Sequence, residues 1–205
     1  MPARPAPQLT RLLLLANLAV AGGLFLAGPA INQSVLLNFG LIPLRLTLAL
    51  DGNAALLPAL ASLVTHLFLH AGLLHLAMNM IMLVAMGNLL EPMSGARRLG
   101  LVYLAGGLAS ACAEWAFTPM SMVPTVGASG AISALIGAQA MLGGRGNQGP
   151  LVRGLGLAAA WTAFQLLAGL VMNGPDFRLA IAGHIGGFLA GLLLARTLVR
   201  PAAFR

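Results

Sequence analysis

Long apolar runs separated by short polar or Gly/Pro breaks dominate the chain. Six of them have helical length, at about 9–28, 73–91, 99–118, 129–143, 152–172 and 181–199. Helix-stopping residues mark their ends. Pro29 follows the first run, Glu91-Pro92 ends the second, and Pro119 and Pro124 follow the third. Gly143-Gly144-Arg145 stops the fourth, and Arg200-Pro201 follows the sixth. A segment of about 20 apolar residues is long enough to span a bilayer. In lipid its backbone groups must be satisfied within the segment, which selects helices. The reading is an all-α membrane protein of six transmembrane helices in one domain, 1–205, with no internal repeat.

Region 30–65 breaks the pattern. It is apolar, but Asn32, Gln33, Asn38, Pro43, Arg45, Asp51, Asn53 and Pro58 interrupt it. It reads as a long membrane-associated loop with short helices in or on the interface. A structureless loop of about 35 residues would be unusual in so small a domain.

Composition agrees with the membrane reading. Of 205 residues, 59% are hydrophobic and only 7% charged, against roughly a quarter charged in a soluble domain. Mean hydropathy is +0.93. The net charge of +7 comes from Arg alone, since there is no Lys, and it marks cytoplasmic ends rather than a nucleic-acid site. With the N-terminus inside, Arg4, Arg11, Arg97, Arg98, Arg145, Arg153, Arg196, Arg200 and Arg205 fall on the inner face. Arg45 and Arg178 fall outside. The first run is long enough to be a retained helix rather than a cleaved leader. The single Cys112 excludes an internal disulfide and reads as a small packing residue. The ten Met read as gap-filling core.

Polar residues inside apolar spans are costly and therefore functional suspects. His66, His70, His75 and His184 lie near the outer ends of the second and sixth helices. Ser129, His184 and His75 each lie 16 residues before an inner-side charge, respectively Arg145, Arg200 and Glu91. At 1.5 Å per residue all three fall about 24 Å above those markers, which suggests one shared site. Ser129 opens the fourth helix, where free N–H groups and the helix dipole favour negative charge. His75 and Asn79 are i,i+4 and share a helix face. A nucleophile, a base and oxyanion donors are the parts of acyl transfer. The acids Asp51, Glu91, Glu114 and Asp176 share no helix turn with His184, so a Ser–His dyad is the economical reading.

At these residues the chain resembles the rhomboid family of intramembrane serine proteases. Gly127-Ala128-Ser129-Gly130, with Gly137 further on, resembles the family's Gly-x-Ser-Gly helix. His66-x3-His70-x4-His75-x3-Asn79 resembles its His-rich second-helix motif, and Gly87-x3-Glu91 the end of that helix. His184-x2-Gly187-x3-Gly191 resembles its sixth-helix motif, where small residues permit close helix packing. The resemblance covers about 9–199, with no further domain or seventh helix. It implies Ser129 as nucleophile, His184 as general base, and His75, Asn79 and the Ser129 N–H as oxyanion donors. Gly127, Gly130, His70 and Gly187 would support the site, with His66 beside it and 173–181 as a cap. Transmembrane proteins would be the substrates and the bilayer the medium, with no cofactor, metal or nucleic acid. The compact form points to a bacterial inner membrane, with both termini cytoplasmic and the site opening outward.

Two departures stand out. Ser133 occupies a position where the family often has an aromatic residue against the His, so the ring comes from Phe188 or Trp115 or is absent. Ala61-Ser62 replaces a Trp-Arg pair expected to anchor the loop. Glu91 reads as a helix-end anchor, and Glu114 has no assigned role. Two other readings stay open: a non-cleaving rhomboid-like protein that binds membrane helices, and a His-ligated metal or haem protein. A transporter is disfavoured by the small size without repeats.

Overall fold

The computed structural model describes residues 7–143, 149–172 and 179–198. Each predicted run has a helical counterpart: α1 (Gln8–Ala27), α5 (Leu73–Ser94), α6 (Ala96–Phe117), α7 (Ser129–Gly143), α8 (Pro150–Met172) and α9 (Ile181–Leu194). The interrupted region folds as three short helices, α2 (Pro29–Phe39), α3 (Pro43–Leu50) and α4 (Leu56–Thr65). One-turn 3₁₀ segments follow α4 at His66–Phe68 and α9 at Ala195–Leu198.

Among the described residues, four segments are long and apolar enough to cross a membrane: Gln8–Ala27, Leu73–Ser94, Ala96–Phe117 and Ile181–Leu198. The structure therefore supports an all-α membrane fold without fixing six crossings. Arg145 and the Arg200-Pro201 stop lie outside the described residues, as do Arg4, Arg178 and Arg205.

Two boundaries differ from expectation. The second long helix runs through Pro92 to Ser94 rather than stopping at Glu91-Pro92. Proline removes one backbone donor, a loss tolerated near a helix end, where the Gly95 N–H bonds the Glu91 carbonyl at 2.7 Å. The interval left between the second and third runs shrinks to Gly95 alone, at φ +84°, and α6 begins at Ala96.

The centre of the molecule is α7. It is only 15 residues long, about 22 Å, shorter than the roughly 30 Å hydrocarbon core. Its composition of Gly, Ala, Ser, Ile and Leu lets neighbours approach on all sides. Gly130 through Leu135, Gly137 and Ala138 are all buried, as expected of a helix apolar all round. The core around it includes Leu83, Leu90, Leu99, Val102, Ala131, Ala134 and Leu135.

Glycines set the α7–α9 distance. A Cβ on Gly187 would lie 2.2 Å from the Gly130 carbonyl oxygen, and one on Gly191 would lie 2.0 Å from that of Ala134. On the other helix, a Cβ on Gly137 would meet the Phe188 carbonyl oxygen at 2.3 Å. The two backbones touch, which is the small-residue packing expected between membrane helices.

Glu91 anchors the N-terminal helix. It accepts hydrogen bonds from the backbone N–H groups of Leu9 and Thr10, both at 2.8 Å, and from the Thr10 hydroxyl at 2.6 Å. A carboxylate at a helix N-terminus meets free donors and the positive end of the dipole.

Candidate active site

The segment before α7 is tied down strand-like rather than left as a free loop. Leu41 and Thr125 exchange two backbone hydrogen bonds, at 3.0 and 2.8 Å. The Leu44 N–H bonds Ser121 O at 3.0 Å, and the Thr47 hydroxyl bonds Pro119 O at 2.9 Å. Closer to the site, the Gly127 N–H bonds the His66 carbonyl at 2.9 Å. The α2–α4 region is thus a brace for the chain that delivers Ser129. Its anchoring does not need the missing Trp-Arg pair. Arg45 donates to the carbonyls of Leu37 and Asn38 at the end of α2. Thr65 Oγ1 bonds Phe39 O at 2.6 Å, and Trp115 Nε1 bonds Thr47 Oγ1 at 2.9 Å.

Gly127 has φ +119°, and a Cβ there would lie 2.8 Å from Cε1 and Nε2 of His75 and 3.5 Å from Asn79 Nδ2. Both the backbone conformation and the contact require glycine. This turn presses the His75 ring and the Asn79 amide against the chain just before Ser129. Asn79 Nδ2 bonds the His75 carbonyl at 3.0 Å, one turn back, and keeps a second N–H. His75 Nδ1 accepts the Ala71 N–H at 3.4 Å, which leaves Nε2, the nitrogen nearest Gly127, as the proton-bearing one.

Ser129 is the first residue of α7, and its Oγ lies 2.8 Å from His184 Nε2. The N–H groups of this first turn have no acceptor within the helix. His184 is 8% exposed and is held at three points. Its Nδ1 lies 3.0 Å from Gln165 Oε1. Its carbonyl accepts the Trp161 indole N–H at 3.2 Å. Its own N–H bonds Ala180 O at 2.9 Å. Trp161 also stacks on Phe188, one turn beyond His184, with ring centroids 4.7 Å apart and planes 7° apart.

The ring expected to compensate for Ser133 is therefore not Trp115, which belongs to the brace. Phe188 is engaged with Trp161. Ser133 itself is buried and returns its hydroxyl to the Ser129 carbonyl at 2.8 Å. Gln165 and Trp161 did not figure among the sequence-level candidates. A lone Gln among apolar residues of the fifth helix was the available signal, overlooked because only acids were considered as third members.

The supporting residues fall around this centre. The His70 ring meets that of His75 edge-on, with centroids 5.2 Å apart. His66 Nδ1 lies 2.8 Å from Ser62 O. A Cβ on Gly130 would lie 2.0 Å from Ser110 Oγ, so this glycine allows α6 to approach. Glu114 Oε2 accepts the Gly183 N–H at 3.0 Å, in the first turn of α9. Of the expected cap, 173–178 lie outside the described residues, whereas Leu179 and Ala180 line the cavity. That cavity, about 260 Å³, is bordered by His75, Glu114, Ser129 and His184. Among the described residues no three His, Cys, Asp or Glu side chains gather as a metal centre requires.

A hydroxyl on an imidazole nitrogen, at a helix N-terminus and beside two further side-chain donors, can supply nucleophile, base and oxyanion stabilisation. Comparison with known proteins shows the family. Residues 58–201 match the Rhomboid domain. The chain is 33% identical to the rhomboid protease GluP of Bacillus subtilis over 146 residues, 69% of this chain and 26% of that protein. It is 33% identical to the mitochondrial RHOMBOID-like protein 6 of Arabidopsis thaliana over 143 residues, 64% of this chain and 41% of the relative. It is 30% identical to mouse Rhomboid-related protein 2 over 149 residues, 65% of this chain and 46% of the relative. The chain spans between a quarter and a half of the length of these relatives. From its long apolar helices and this match, the chain is an integral membrane protein that belongs to the rhomboid family.

Proposed function

We propose that this protein is an intramembrane serine endopeptidase that cleaves other membrane proteins in or near their transmembrane segments. The observation that carries the reading is the 2.8 Å approach of Ser129 Oγ to His184 Nε2 at the edge of a cavity that both residues line. His184 takes the hydroxyl proton as Ser129 attacks the scissile carbonyl. The developing oxyanion is met by the Ser129 N–H, His75 Nε2–H and the second Asn79 N–H. His184 then protonates the leaving amine, and water releases the acyl group by the same steps in reverse order. A peptide bond inside a helix is shielded by its own hydrogen bonding, so the substrate segment unwinds locally before cleavage. Termini on the cytoplasmic side and a site opening outward fit the arginine distribution, and the compact form fits a bacterial inner membrane.

Labelling with a fluorophosphonate tests the reading. Wild type takes up the reagent, and Ser129→Ala and His184→Ala lose it. Equal labelling of all three proteins contradicts a Ser–His pair. A folded wild type that stays unlabelled favours a rhomboid-like protein that binds helices without cutting them.

A further inference from the structure

Helix α8 carries its large apolar residues outward. Phe164, Leu166, Leu167 and Leu170 are more than half exposed. Gln165, between two of them, is only 4% exposed and points into the bundle. Its Oε1 lies 3.0 Å from His184 Nδ1. A leucine would fill this place without desolvating an amide, so packing alone does not account for glutamine in a membrane helix. One turn earlier on the same face, Trp161 donates to the His184 carbonyl and stacks on Phe188. Two α8 residues at i,i+4 thus grip one turn of α9, one at the backbone of His184 and one at its ring.

We propose that Gln165 is the positioning residue for His184, the neutral counterpart of the acid that orients histidine in a catalytic triad. The inference rests on the serine-protease reading of the site. Imidazole with an acceptor at Nδ1 carries its proton there, which turns the Nε2 lone pair toward Ser129 Oγ. When Nε2 receives the serine proton, Nδ1–H remains bonded to Gln165 Oε1 and the ring keeps its orientation. An amide supplies this acceptor without placing an ionised carboxylate in an apolar surrounding, which is far more costly. The hold on the base is thereby carried by α8, while the nucleophile and the oxyanion donors sit on α7 and α5.

The test compares rates of fluorophosphonate labelling across pH for purified wild type, Gln165→Leu and Gln165→Glu, with thermal unfolding of each. The leucine side chain has nearly the same volume and no acceptor. It lowers the labelling rate by about a hundredfold or more, while the unfolding temperature stays near wild type. Glutamate restores the acceptor and brings the rate back to within about tenfold of wild type. A Gln165→Leu protein that labels at the wild-type rate overturns the proposal. If that variant fails to fold, Gln165→Met, of similar length and without an amide acceptor, decides in its place: labelling at the wild-type rate overturns the proposal and a loss of about a hundredfold supports it. Wild type labelled at Ser129 beside an equally labelled leucine variant removes Gln165's role alone. An unlabelled wild type removes both this role and the protease reading.

Discussion

Helix α9 meets its two neighbours in opposite ways. Against α7 it is backbone on backbone, with Gly187 and Gly191 on one side and Gly137 on the other leaving no room for a Cβ. Against α8 it is held by side chains, Trp161 and Gln165 reaching to His184 and Phe188. The first contact fixes how far apart the Ser129 and His184 backbones are. The second fixes how the His184 ring is turned. Distance is set by packing that tolerates almost no change, orientation by two hydrogen bonds and one ring stack from a helix whose outer face is largely exposed. The two interfaces should therefore fail differently.

The largest effect is expected at the glycine face. Gly187→Val drives a side chain into the Gly130 carbonyl, separating α7 from α9. It should cost about 3 kcal/mol of stability and abolish fluorophosphonate labelling, both visible in one thermal-shift and labelling series. A variant that keeps both would show the close approach to be unnecessary. Next come the oxyanion donors. His75→Ala and Asn79→Ala should each slow labelling by about 10²-fold with little change in unfolding temperature, because they act on the reaction and not on the α7–α9 spacing. A small effect at Asn79 would confine the oxyanion donors to His75 and the backbone.

Smaller changes belong to the side-chain face and the brace. Trp161→Phe keeps a ring against Phe188 but loses the indole N–H to the His184 carbonyl. A loss of about 1 kcal/mol is expected, with labelling slowed less than by the loss of an oxyanion donor. Thr47→Val removes the hydroxyl that links Trp115 to Pro119. It should cost about 1–2 kcal/mol and leave the labelling rate nearly unchanged, since the Leu41–Thr125 and Gly127–His66 ties still hold the chain before Ser129. A strong loss of labelling there would place α3 in the site itself.

How much of this was legible in the sequence also divides between the two faces. The glycine face was readable because close packing leaves a spacing signature, as in Gly187-x3-Gly191. The helices were readable because Pro and Gly bound the apolar runs. The limits of α5 and α6 were misjudged where one residue, Gly95, makes the whole turn and Pro92 is absorbed near a helix end. The side-chain face was not readable in the same way. Gln165 and His184 are 19 positions apart on different helices, and no period links them. Only the rule that a buried polar residue in a membrane helix needs a partner could have nominated Gln165. Similarly, nothing local in Trp115 distinguished a brace residue from a ring beside His184; its partner Thr47 is distant in sequence.

The pairing of Ser129 with His184 is most directly tested by locating the fluorophosphonate adduct through peptide mass spectrometry. The expected result is a single added phosphonyl group on Ser129 in wild type, absent from the His184→Ala protein. An adduct on another residue, or one on Ser129 formed equally fast without His184, would contradict the account.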